Sequence, residues 1–167
     1  SKCSEKENNI LASQKNIQSS SKDYEEEVSK LRELMKLEEK IVDIKNRIRI
    51  GSQLINDSVL GSQYFTLYAI LKFALIYREV REKGIEPTLE TLYFFADKEI
   101  IRKVESEGLK FNLNAVDPLD LFGGLPAKIR EVFEKAFNEE DNATVGDIIY
   151  ILGNLRSKRA KEILLGF

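Results

Sequence analysis

The chain has 167 residues, a formal net charge of −2, one cysteine and no histidine. That length suits one domain with a real core plus an appended arm, and the missing histidine removes imidazole acid–base relays and imidazole metal ligands. Charged residues make up 32% of the chain with the two signs nearly cancelling, which argues against a surface that grips nucleic acid all over but leaves room for a local basic patch.

Residues 1–22 read as a flexible polar arm, dominated by Glu, Lys, Asn, Gln and Ser, with Ile10, Leu11 and Ile17 as spaced apolar positions that fold only on a partner. The single Cys3 can form no internal disulfide and suits a reducing, cytoplasmic compartment. Ser1-Lys2-Cys3-Ser4 resembles the start of a mature bacterial lipoprotein. Cys3 is therefore either lipidated or a free thiol, and Lys2 directly before it favours the thiol. The Glu- and Lys-rich composition is that of thermophile surfaces.

Residues 23–60 form an amphipathic, coiled-coil-like segment. Asp23 with Glu26 makes a capping-box start, and Glu25, Glu26 and Glu27 sit at the positive end of the helix. Leu34, Leu37, Ile41, Ile44 and Ile48 then recur at alternating steps of three and four. This seam lasts only about two heptads, and Leu31, Met35 and Val42 widen it. Two uses stay open: packing against the chain's own core, or an intermolecular coiled coil. Gly51-Ser52 bends or ends the helix, and Leu54, Ile55, Val59 and Leu60 continue a helical period.

Residues 61–167 form the helical core domain. The stretch 63–83 is apolar on almost every side, with Tyr64, Leu67, Tyr68, Leu71 and Leu75 on one face and Phe65, Ile70, Phe73 and Ile76 on the other. It is the expected central helix of a small all-α bundle. Lys72 in its middle and its length fall short of a membrane span, which needs ~20 apolar residues. The charged run Arg78–Lys83 places its outer end in water. Gly84-Ile85-Glu86-Pro87-Thr88 is a corner, and Thr88 caps a helix expected to run unbroken to Ser106.

Residues 109–126 lose the helical rhythm. Leu109, Phe111 and Leu113 alternate without a visible partner strand, so an ordered loop is expected, with one helical turn capped by Asp117. Leu119, Leu121, Phe122 and Leu125 either plug the core or present a surface to a partner. Helix 127–137 turns Ile129, Val132, Phe133, Ala136 and Phe137 inward. The next begins at Thr144 and buries Ile148, Ile149, Ile151, Leu152 and Leu155; Ser157 caps the last. Residues 149–165, with Leu152-Gly153-Asn154-Leu155 at the turn, resemble a single HEAT-type helical hairpin, but the unit does not recur upstream. They read as a C-terminal pair of antiparallel helices.

Candidate carboxylate pairs for catalysis or metal binding are Asp97/Glu99, Asp117/Asp120 and Glu139-Glu140-Asp141, each with a capping or solvated-turn reading beside it. No cofactor motif is present, and Gly123-Gly124 lacks the Lys-Ser/Thr of a phosphate loop. The expected role is a non-catalytic subunit or adaptor that docks to a protein partner or to itself through Leu34, Leu37, Ile41, Ile44, Ile48 and the Leu119–Leu125 loop. The alternative is a nucleic-acid-binding subunit that uses Arg156, Lys158, Arg159 and Lys161, helped by Arg47 and Arg49, with no exposed aromatic for base stacking.

Overall fold

The computed structural model describes residues 21–49 and 60–166. Residues 1–20 of the polar arm, with Cys3, the bend at Gly51-Ser52 and the positions Leu54 to Val59 lie outside the described residues, whereas Ser21 and Lys22, expected in the arm, already belong to the first helix, which places Asp23 in its first turn rather than at its start. Within them the chain is all-α, with helices α1 (Ser21–Arg47), α2 (Ser62–Glu82), α3 (Leu89–Phe95), α4 (Lys98–Ser106), α5 (Leu125–Asn138), α6 (Asn142–Asn154) and α7 (Lys158–Leu165), and one 3-10 turn at Pro118–Asp120. The chain divides into two compact units, Ser1–Asp43 and Ile44–Phe167. No described helix is long and apolar enough to cross a membrane.

The second unit is built around α2. Tyr64, Leu67, Leu71, Phe73, Ile76 and Tyr77 are fully buried on different sides of it, because α3, α4, α5, α6 and the 3-10 turn all pack against it. A helix with apolar residues all round is stable only when surrounded in this way. Its end is a Schellman cap: Gly84 takes a left-handed φ of 72°, its N–H donates to the Arg81 carbonyl, and the Ile85 N–H donates to the Val80 carbonyl.

The charged end of α2 departs from expectation. Arg78 and Glu79 are buried at 7% and 2% exposure, not placed in water. The Arg78 guanidinium donates to Glu79 at 2.8 Å, to Glu82 at 2.6 Å and to the Asn154 carbonyl at 3.0 Å. Burial of a charge is tolerable only with such a set of partners.

The helix expected over residues 88–106 is two helices. Thr88 caps α3 by accepting from the Thr91 N–H at 3.1 Å, but Ala96 and Asp97 are extended, with ψ of 146° and 152°, and α4 starts afresh. Phe95 and Val104 are both buried. Nine residues apart, they would lie on opposite faces of one continuous helix, at ~3.6 residues per turn. The break lets both face the core.

The loop before α5 is a plug. Phe111 and Phe122 form an isolated antiparallel bridge, with the Asn112 N–H donating to the Leu121 carbonyl at 2.9 Å and the two rings 4.8 Å apart. Asp117 caps the 3-10 turn through the Leu119 N–H at 2.9 Å. The Tyr77 hydroxyl and the Arg81 guanidinium tie the loop to α2 through the Ala115 carbonyl. Leu119, Leu121, Phe122 and Leu125 are all buried, so they serve the core and offer no docking surface.

Two inward assignments are also corrected. Phe137 is 67% and Ile149 44% exposed, because each lies at the edge of its helix's apolar stripe, and no described element packs over it. Helix α6 begins two residues before Thr144; its cap is Asp141, which accepts from the Thr144 N–H at 3.1 Å and from its hydroxyl at 2.6 Å.

Candidate functional site

Of the seam residues, Ile44 and Ile48 are buried in the second unit, Ile41 is half-buried, and Leu34 and Leu37 are 61% and 41% exposed. Met35 and Val42, at 63% and 54%, widen the exposed stripe along α1. The seam thus has two uses along its length: its C-terminal end belongs to the chain's own core, and its middle presents apolar side chains to water.

The two basic clusters, separate in sequence, meet in space. The chain leaves α6 through Leu155, turns at Arg156 with a left-handed φ of 48°, and enters α7 through Ser157, whose hydroxyl accepts from the Ala160 N–H at 3.1 Å. That turn brings Arg156 beside Arg47 and Arg49 at the end of α1, and the three line a pocket of about 290 Å³ together with Arg78, Glu79 and Tyr150. A second pocket of about 390 Å³ shares Arg156 and Gly153 and continues along α7 past Lys158 and Lys161. Its apolar lining comes from Leu152, Ala160 and Leu164.

Not every predicted cation joins this surface in the same way. Arg159 is drawn to the 3-10 turn, where it pairs with Asp120 at 3.1 Å while its backbone N–H approaches Asp117 at 3.4 Å. Arg156 lies 3.7 Å from Glu82, although its side chain is 68% exposed. Tyr150 is 55% exposed and supplies the aromatic that the sequence reading did not find. The signal for it was its omission from the inward set of this helix, Ile148, Ile149, Ile151, Leu152 and Leu155.

Among the carboxylate candidates, Asp117 accepts from the Ser157 hydroxyl at 2.6 Å besides capping its own turn, and Asp141 caps α6 while accepting from the Leu60 N–H at 3.2 Å, whereas Asp97 precedes the first residue of α4 without a side-chain cap bond. Among the described residues no group of three or more acids, cysteines or histidines is placed to hold a metal ion.

A buried polar cluster also went unnoticed in the sequence. The Tyr64 hydroxyl donates to one oxygen of Asp147; the other oxygen of this fully buried carboxyl has no hydrogen-bond partner. Burial raises the Asp147 pKa above the usual carboxylate range, an effect partly offset by the Tyr64 hydrogen bond and by Lys72. Burial, aided by the nearby Asp147 charge, pushes Tyr68 up to about 12, and burial lowers Lys72. Asp147 was legible only as a helix-start acid.

No family model matches this chain, and comparison with curated proteins and with solved structures returns none similar to it.

Proposed function

We propose that the protein is a docking subunit without catalysis of its own, which self-associates through the middle of α1. One observation carries this reading: Leu34, Met35, Leu37 and Val42 expose their side chains on a helix of 27 residues whose further seam residues, Ile44 and Ile48, are buried. Apolar stripes of this spacing gain ~25 cal/mol per Å² when a partner covers them.

Light scattering and sedimentation over about a hundred-fold range of concentration test the reading. The parent should shift from monomer to dimer, and a Leu34→Glu, Leu37→Glu double variant should stay monomeric with an unchanged circular dichroism spectrum. A strictly monomeric parent would overturn it, as would a dimer that the double variant leaves intact.

A further inference from the structure

The joined arginine pockets are a separate feature that self-association through α1 does not use. We infer that this surface is a binding track for the phosphate backbone of a single-stranded nucleic acid.

Three observations point the same way. The first is charge density: Arg47, Arg49, Arg78 and Arg156 line one pocket with a single carboxylate, Glu79, and Arg156, Lys158 and Lys161 line the next with none. Arg78 already neutralises Glu79 at 2.8 Å and Glu82 lies 3.7 Å from Arg156, and cations still outnumber carboxylates in the lining of both pockets. In a chain of net charge −2, that concentration of one sign is local rather than a property of the whole surface.

The second is extent. One phosphate is satisfied by two or three donors in one concavity, and the first pocket alone would suffice for it. Here the two pockets run on through Arg156 and Gly153, with cations along both, as a chain of phosphates requires. The third is the exposed ring of Tyr150 in the first pocket and the apolar lining of Leu152, Ala160 and Leu164 in the second. Such surfaces accept unstacked bases, which a single strand offers and a duplex hides.

Arg156 is the residue on which the track turns, and its backbone makes the inference separable from stability. It holds a left-handed φ of 48°, a conformation that glycine adopts at no steric cost and arginine does not. Arg156→Gly should therefore melt at the same or a higher temperature while binding at least several-fold more weakly.

Fluorescence anisotropy with a labelled oligothymidylate is the direct measurement. With five cations engaged, log K should fall with log salt at a slope of about −3 to −4, and a duplex of equal length should bind more weakly. Arg49→Glu with Arg156→Glu should lower affinity by at least about ten-fold and flatten the salt slope. Arg130→Glu, on the exposed side of α5, should change affinity less than about two-fold. Failure of the parent to bind at low salt would overturn the inference. An equal loss in Arg130→Glu would do the same, since it would reduce the effect to net charge. Competition by inorganic phosphate as effective as that of the oligonucleotide per phosphate would show a single-phosphate site and refute the track. The Leu34→Glu, Leu37→Glu variant should bind with the parent's salt slope, so failure of the docking reading and failure of this one are told apart.

Discussion

Phe73 is where the fold concentrates its aromatic packing, and replacing it tests whether α2 is the centre. The ring is fully buried and sits 5.2 Å from Phe111, 5.8 Å from Tyr93 and 6.1 Å from Phe122, centroid to centroid. It thereby joins α2 to α3 and to the plug loop. Phe73→Ala removes on the order of 100–150 Å² of buried apolar surface, about 2.5–4 kcal/mol at ~25 cal/mol per Å². A cavity that the neighbouring rings fill only in part brings the loss to about 3–5 kcal/mol, a large share of the ~5–15 kcal/mol that holds a domain folded. Chemical denaturation followed by circular dichroism measures it. The chain has no tryptophan, so tyrosine emission serves as the second probe, and an unchanged denaturant slope shows that the change lies in stability. Phe137→Ala, at a ring 67% exposed, should stay within about 0.5 kcal/mol of the parent. In a double-mutant cycle Phe73 and Phe111 should couple by at least about 0.5 kcal/mol. A Phe73→Ala loss below about 1.5 kcal/mol would refute the placement of the core.

Two further substitutions probe buried charge. Glu79→Gln should cost about 1–3 kcal/mol, less than the ~3–5 kcal/mol of an isolated buried pair, because Glu82 and the Asn154 carbonyl still hold Arg78. A neutral result in denaturation would show that the Arg78–Glu79 pair merely offsets its own desolvation. Asp147→Asn keeps an acceptor for Tyr64 and removes a carboxyl whose pKa is raised in the fold, chiefly by burial. A raised folded pKa means that the neutral form suits the fold. The stability it contributes is complete below the unfolded value of about 3.9 and is lost as pH rises through the folded value. Relative to the parent, Asp147→Asn should therefore gain stability between acid and neutral pH; melting curves across that range showing a constant difference, or the opposite trend, would refute the assignment.

Periodicity reached the bundle because burial is recorded in residue type along a helix. Tyr64, Leu71, Phe73 and Tyr77 announce a helix that must be surrounded, and the elements packed round α2 follow from that need. The caps at Thr88, Asp117 and Ser157 were equally readable, since a short polar side chain at a helix start needs only its own next residues as partners. The failures lie where a partner is distant in sequence. Arg78 and Glu79 look like a solvated end until the Asn154 carbonyl arrives from 76 residues away. Phe95 and Val104 look like one stripe until the break at Ala96-Asp97 is seen. Leu119 and Phe122 suit a plug and a docking surface equally well, and only the bridge to Phe111 decides between them.

Charge was legible in kind but not in place, and that difference decides what each basic residue can do. Arg156, Lys158, Arg159 and Lys161 form one dense run in the sequence, yet α7 and its turn divide them. Asp120 holds Arg159 at 3.1 Å, closer than Glu82 approaches Arg156 at 3.7 Å, and the more closely a carboxylate holds a cation the less that cation gives to a phosphate, because the first partner must be given up. Arg47 and Arg49 lie more than a hundred residues from the run, and they share a pocket with Arg156 because α1 ends beside the turn between α6 and α7. A basic run alone predicts equal contributions from its members. The folded surface predicts that Arg49 and Arg156 dominate over Arg159, an order that the same oligonucleotide titration can read from single charge reversals.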